Sequence, residues 1–336
     1  MIQQAINKLV QRQHLSAGEA EGVMDQIMTG EATPAQIGGY LVALRMAGET
    51  PEEIAGSVRS MRAKATRVPT RHPLVVDTCG TGGDGAHTFN ISTTAAFAVA
   101  GAGLPVAKHG NRSVSSQSGS ADVLKALGVN IEAAPGRVGA CLDEAGFGFL
   151  FAPALHGAMK HAIGPRRELA MRSIFNIMGP LTNPAGAQCQ LVGVYAPALT
   201  ELVADVLGRL GAKRALAVHG HDGMDEVTLA GPTRVSEWDG RSVRTYDVRP
   251  EEAGLASAPA KELAGGGPEE NAGITRAILA GEKGPRRDVV LLNAAAALMA
   301  GGKAKDLGEG VELAARAIDS GAAQRVLDRL IEISNA

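Results

Sequence analysis

Four short segments concentrate the side chains that could do chemistry, and each follows an apolar run or a turn. The first reads Asp77-Thr78-Cys79-Gly80-Thr81-Gly82-Gly83-Asp84-Gly85. It satisfies G-x-G-x-x-G, but the dinucleotide-binding fingerprint also wants a helix at once and an acid about 20 positions on. The stretch 99–109 contains no acid, and Asp84 would repel a bare pyrophosphate. A carboxylate within a glycine loop suits a phosphate accompanied by magnesium. A tight turn without a ligand would use the same glycines. Next come Thr88-Phe89-Asn90-Ile91-Ser92-Thr93-Thr94, ahead of the Ala-rich run 95–100. These polar residues can be plain helix N-caps, or a phosphate cradle at a helix start with Ser92 offering an oxygen to a metal ion.

The second segment, after a strand expected at 104–107, crowds Lys108, Arg112, Asn111 and five serines into 108–120. A helix start at 119–122 would add free N–H groups, so this loop is expected to bind an anion. The third holds His156, Lys160, His161, Arg166, Arg167 and Arg172. Alone it could be a solvated helix face, although a guanidinium is the best partner for a carboxylate. The fourth, His219 to Glu226, ends in Asp225-Glu226. Adjacent carboxylates diverge on a strand but can converge in a loop to hold magnesium. No G-x-S-x-G context surrounds a serine, which argues against covalent catalysis.

The elements that must position these loops change character along the chain. Residues 1–66 read as short helices, started by a capping box at Ser16/Glu19, by Thr33-Pro34, and by Thr50-Pro51-Glu52-Glu53, with Gly48 at a helix end. From about residue 70, apolar runs at 74–76, 104–107, 148–151, 191–195 and 215–218 alternate with helical stretches, one of them 199–210. That alternation predicts βαβ units and a mostly parallel sheet, an α/β fold. Asp239-Gly240 predicts a two-residue hairpin at its margin. Helices are expected at about 121–127, 270–281, 287–300, 309–319 and 322–333.

Composition narrows the function classes. Gly is 43 of 336 residues, about twice the usual share, and it clusters in the loops above. A net charge of −2 with no basic run argues against nucleic acid as a partner. Three widely spaced cysteines suit neither a disulfide framework nor a zinc site. The start of the chain lacks a signal-peptide pattern and no apolar run reaches spanning length, so a cytoplasmic protein with no membrane partner is expected.

Taken together the segments closely resemble the anthranilate phosphoribosyltransferase family. The matching pieces are G-T-G-G-D at 80–84, N-I-S-T at 90–93, K-H-G-N-R at 108–112 and S-G-S-A-D at 118–122. R-S-I-F-N-I-M-G-P-L-T-N-P at 172–184, G-M-D-E at 223–226 and V-L-L-N-A-A-A-A-L at 290–298 match too. The resemblance implies a small helical domain over 1–66, completed by helices from about 155–185. It implies an α/β domain over 70–336, a hinge between the two, and a homodimer. Phosphoribosyl pyrophosphate (PRPP) would be held by Gly80, Gly83, Asp84, Thr88, Asn90, Ile91, Ser92 and Thr93. Lys108, His109, Gly110, Asn111, Arg112, Ser113, Val114, Ser115, Ser116 and Ser120 would complete that site. Anthranilate would contact Gly80, Asn111 and Arg166. Two Mg2+ ions per subunit would be held by Ser92, Asp225 and Glu226. Gln117 and Ala170 depart from the family pattern, which often has Lys and Gly there.

The implied chemistry suits this inventory: a weak amine nucleophile needs a good leaving group, which positioning and charge neutralisation of pyrophosphate supply. His109 or His156 could assist. A pyrimidine nucleoside phosphorylase of the same fold is the nearest alternative, but its first motif reads closer to K-H-S-T-G-G-V-G. A non-catalytic relative binding nucleic acid would need a basic face and damaged substrate motifs.

Overall fold

The computed structural model describes residues 1–113 and 117–336. Its first helices are Ile2–Val10, Ala17–Thr29, Pro34–Ala47 and Pro51–Lys64. Ser16, Thr33 and Thr50 each accept from the N–H three residues on, and Glu19, Gln36 and Glu53 return the bond. Two orphan donors are satisfied at each of these helix starts, which fixes where the chain turns. The buried Glu53 carboxylate also accepts from Leu15 N at 2.8 Å, tying the connector ahead of the second helix to the fourth.

Two later helices, Lys160–Leu169 and Ile174–Met178, bury Ala162, Ile174 and Phe175 in the same apolar core as Ile27, Tyr40 and Ile54. That core runs on without a break to one face of the sheet, through Val192, Val194, Ala215 and Ala217. Leu216 and Val218 face the other way, onto Ile91–Gly101 and the C-terminal helices. Alternate residues of one strand thus feed two cores, as expected for a strand covered on both faces.

The sheet has seven strands: β1 (Val76–Asp77), β2 (Val106–Gly110), β3 (Phe147–Phe151), β4 (Cys189–Gly193), β5 (Arg214–Gly220), β6 (Thr233–Trp238) and β7 (Val243–Val248). Their order is β3-β2-β1-β4-β5-β6-β7. The first five run parallel, and β6 and β7 are antiparallel. The chain builds outward from β1 in both directions, so the loop after β1 lies at the point where strand order reverses. Open α/β sheets bind ligands there.

Three expectations need correction. The strand at 74–76 is only the pair Val76–Asp77, because β2 and β4 pair with β1 over that short stretch alone. Lys108, His109 and Gly110 belong to β2 rather than to a loop, since β3 pairs with β2 as far as Gly110↔Phe151. Lys108 tolerates burial there because its ammonium donates to Thr78 O at 2.6 Å. The hairpin loop has four residues, 239–242, closed by the Trp238↔Val243 pair. Asp239 Oδ1 accepts from Arg241 N and Ser242 N at 2.8 and 2.9 Å, and Gly240 takes φ +98°, so the Asp side chain builds a longer turn than the dipeptide suggested.

The crossover helix is Leu199–Arg209, and the chain ends in Pro268–Leu279, Pro285–Ala300, Leu307–Asp319 and Ala322–Asn335. The first two of these start earlier than expected because proline occupies their opening positions, where its missing N–H is harmless. Ala170 ends Lys160–Leu169 in the left-handed region at φ +47°, a conformation glycine adopts more easily. Among the described residues no helix is long and apolar enough to cross a membrane.

Candidate active site

The loops at the carboxyl ends of β1, β2 and β5 enclose one cavity of about 440 Å3. Residues 79–85, 87–93, 108–113 and 118–120 line it, with Arg166, Phe175, Asp225 and Glu226. All the described residues singled out in the sequence for PRPP and anthranilate therefore meet at one place. Val114, Ser115 and Ser116 lie outside the described residues.

The glycine loop is held against the turn after β5. Gly82, Gly83 and Gly85 have φ of +66°, +76° and +75°, which lets the loop turn without side chains in the cavity. Asp225 Oδ2 accepts from Gly82 N at 2.7 Å, and Asp225 N donates to Asp84 Oδ2 at 3.2 Å. A Cβ on Gly80 would lie 2.8 Å from Asp225 Oδ2. Gly193, at the end of β4, has less room still: a Cβ there would fall 1.6 Å from the Asp225 carbonyl oxygen. Its own carbonyl accepts from Thr81 N at 2.8 Å. Sequence reasoning missed Gly193, since a lone glycine ending a strand carries no motif. It also gave Arg172 no role. That side chain donates to Gly83 O at 2.6 Å while its guanidinium lies 3.8 Å from the centre of the Tyr195 ring.

Behind the loop, Asn90 precedes Ile91–Gly101 but its side chain makes no capping bond. Ser92 N instead donates to Glu226 Oε1 at 3.1 Å. Thr88 forms a bridge with Ala264, and Thr93 is buried. Lys108, 2% exposed, reaches Thr78 O and, at 3.4 Å, Ser92 Oγ.

The serine loop begins at Asn111, whose Oδ1 accepts from Arg112 N at 2.7 Å. Asp122 then gathers Ser113 N at 3.1 Å, Gly119 N at 3.0 Å and Arg112 Nη1 at 3.3 Å. The Arg112 guanidinium is thus turned to carboxylates, Glu132 being the second at 3.7 Å. Ser120 Oγ donates to Asn111 O at 3.3 Å. It also sits where a Cβ on Gly110 would be, 2.2 Å away.

Three carboxyl groups crowd one wall. Burial, then the charges of Glu226 and Asp84, push Asp225 well above the usual carboxylate range. Burial lifts Glu226 to about 7 even though the Lys108 ammonium and the Ser92 bonds oppose it. Desolvated carboxylates facing one another lack cationic charge, and Lys108 supplies only part of it. With Ser92 the donor set is all oxygen, the kind magnesium takes. Among the described residues no three acidic, His or Cys side chains close on one point. The set is open, as suits an ion that keeps water and phosphate oxygens in its shell. The residues therefore fit Mg2+.

On the opposite side, the half-buried Arg166 stacks 4.8 Å from the centre of the Phe175 ring. Burial lowers its proton affinity. Among the described residues its guanidinium has no hydrogen-bond or ion-pair partner, unlike Arg112 and Arg172. A free fork of donors beside an aromatic ring has the chemistry to receive a planar carboxylate.

His109 and His156 form a buried pair, with Nε2 atoms 3.1 Å apart and rings edge-on. Burial, then the neighbouring His156, lowers His109 to about 3, and burial lowers His156 to about 4. His109 is further bonded to the Gly179 backbone. Both rings are neutral near pH 7, each using Nε2 on the other. Beneath them, the buried Asp77 accepts from His109 N at 3.1 Å and Asn183 Nδ2 at 2.7 Å. Asn183 also donates to Ala107 O at 2.8 Å, which gives the 172–184 motif a structural duty the sequence did not reveal.

Family models cover the chain in two pieces: the glycosyl transferase family helical bundle domain matches residues 3–65, and the a/b domain of the same family matches 72–324. The anthranilate phosphoribosyltransferase of Moorella thermoacetica is 59% identical over 331 residues, 98% of each chain. The crystal structure of that enzyme from Thermus thermophilus superposes with a TM-score of 0.94 at 47% identity, covering 99% of both chains. The Saccharomyces cerevisiae enzyme in complex with PRPP and Mg gives 0.90 at 28% identity, covering 99% of this chain and 98% of that one. The same yeast enzyme with 4-fluoroanthranilate gives 0.89 at 27% identity, with the same coverage.

Proposed function

The chain belongs to the anthranilate phosphoribosyltransferase family, and from that premise we propose how its cavity divides the two substrates. The enzyme transfers the phosphoribosyl group of PRPP to the amine of anthranilate, giving N-(5-phosphoribosyl)anthranilate and pyrophosphate for tryptophan synthesis, and it uses Mg2+. The observation that carries the division is the polarity of the cavity: an acid wall bonded to the glycine loop on one side, an unpaired guanidinium on a phenyl ring on the other.

PRPP lies along the glycine loop and the start of Ile91–Gly101, with Gly80, Gly83, Asp84, Thr88, Asn90, Ile91, Ser92 and Thr93 against it. Lys108, His109, Gly110, Asn111, Arg112, Ser113 and Ser120 complete its site, and Val114, Ser115 and Ser116, assigned to it from the sequence, lie outside the described residues. Ser92, Asp225 and Glu226 hold two Mg2+ ions. Bound magnesium neutralises charge on the departing pyrophosphate. Gly80 and Asn111 lie between the substrates, and Arg166 receives the anthranilate carboxylate in a bidentate bond.

The amine attacks uncharged and sheds its proton afterwards, so the site needs donors and position rather than a strong base. The histidine pair fits that economy. Each imidazole already uses Nε2 on its partner, and both hold protons too weakly to act as acids near neutral pH. Their part is to fix the floor of the cavity. The paired protomers of a homodimer and a cytoplasmic setting belong to the same reading. Val10 and Met46, 71% and 72% exposed, are apolar side chains that a partner protomer would cover. Three free thiols accord with the second.

Anthranilate fluorescence tests the whole assignment. With PRPP and Mg2+ present it should fall as product forms, while uridine with phosphate should give no phosphorolysis. His109→Ala and His156→Ala should each keep measurable turnover in the same assay. Complete loss in either would make the pair part of the chemistry.

A further inference from the structure

Asparagine is among the best N-cap residues because its side-chain oxygen normally accepts from an N–H of the first turn. Asn90 stands at that position before Ile91–Gly101 yet makes no such bond. Its amide is drawn the other way. Asn90 Oδ1 accepts from Asn271 Nδ2 at 3.0 Å and from Ser118 Oγ at 3.2 Å, and Asn90 Nδ2 donates to Ser118 O at 3.1 Å. Only one orientation of the amide satisfies these three bonds.

Asn271 itself is buried, in the first turn of Pro268–Leu279, and both ends of its own amide are engaged. Its Oδ1 accepts from Gly266 N at 2.9 Å. The segment it stands in is strapped along the loop: Phe89 N donates to Leu263 O at 3.2 Å, Gly265 N donates to His87 O at 3.1 Å, and Thr88 bridges Ala264. The strap lies too close to admit a side chain on Gly265, where a Cβ would sit 2.5 Å from Phe89 Cα and 2.6 Å from Asn271 Oδ1. Asn271 is thus held rigidly, and it does not line the cavity.

We infer that Asn271 is a positioning residue for PRPP: Ile91 N and Ser92 N already donate to Phe89 O and Glu226 Oε1, and Asn271 holds the Asn90 amide off its own helix, so that the remaining first-turn N–H, of Thr93, stays open to the phosphoribosyl group, and ties that helix start to the serine loop. The inference rests on the assignment of the Ile91–Gly101 start to PRPP. An uncapped N–H at a helix start favours an anion, and an Asn90 free to rotate would occupy that of Thr93 itself. No local pattern marks this role, because Asn271 lies some 180 positions from its partner.

The test is a double-mutant cycle on Asn90 and Asn271, read as KM for PRPP and KM for anthranilate. Asn271→Ala should raise KM for PRPP about tenfold, the size of one well-placed hydrogen bond, and leave KM for anthranilate within about twofold. In an Asn90→Ala background the same substitution should add almost nothing, because its target is gone. Asn271→Asp keeps the acceptor for Gly266 N but loses the donor to Asn90, so it should reproduce the alanine effect with the strap intact. An unchanged KM for PRPP in Asn271→Asp, or equal effects of Asn271→Ala with and without Asn90, would overturn the inference. An Asn90→Ala variant with normal KM for PRPP would instead remove the reading on which it rests.

Discussion

Asp225→Ala combined with Glu226→Ala should abolish both activity and its dependence on magnesium, leaving a folded protein. Losing a preorganised electrostatic group in a site of this kind costs about a hundred- to a thousandfold in rate, so the pair should cost at least about a thousandfold. The residual rate should be flat across a Mg2+ titration. The fold should survive because these carboxyls oppose it in the metal-free protein. Burial lifts Glu226 from 4.5 to about 7, and burial with the neighbouring charges lifts Asp225 well above its usual range. Between pH 4.5 and about 7 the folded chain keeps a proton on Glu226 that an unfolded chain releases, so stability falls as pH rises through that window. Removing the groups removes that loss. Asp225→Asn with Glu226→Gln retains hydrogen-bonding capacity at the Gly82 and Ser92 amides and should be equally inactive, which separates lost charge from lost scaffolding. A double variant with normal, magnesium-responsive turnover would refute the acid wall as the metal site.

Arg166→Ala should raise KM for anthranilate by about ten- to a hundredfold and change KM for PRPP little. A hydrogen bond to a charged group contributes about 1.5–3 kcal/mol, and each 1.4 kcal/mol is a factor of ten. The guanidinium stacks on Phe175 and has no other partner among the described residues, so its removal takes away binding without unpairing a buried acid. Arg166→Lys should recover only part of the loss, since an ammonium cannot offer the planar fork. Steady-state kinetics with each substrate varied in turn gives the answer. Equal changes in both constants would mean that Arg166 shapes the cavity rather than receiving the carboxylate.

Much of this site could be read before the fold was known because its residues announce themselves locally. Capping boxes at Ser16 and Thr50 mark helix starts within a few residues, and the glycine loop at 80–85 declares that backbone must come close to something. The position of Asp225-Glu226 after an apolar run was enough to set it at the carboxyl end of β5. What stayed hidden is non-local. Gly193 looks like any strand glycine until Asp225 is brought against it, and Asn271 like any helix residue until Asn90 is. Lys108 read as a loop cation because a charged residue is a poor guide to a strand. Only the pairing with β3 and the Thr78 carbonyl reveal it as buried. The two-residue hairpin failed for the opposite reason: the Asp239 side chain builds local structure that the dipeptide pattern does not record.

Anomalous diffraction from crystals grown with PRPP and Mn2+ in place of Mg2+ locates the metal directly. Manganese should lie against Asp225, Glu226 and Ser92, with pyrophosphate between that wall and the glycine loop. Manganese bound elsewhere, or pyrophosphate held away from the acid wall, would contradict that placement.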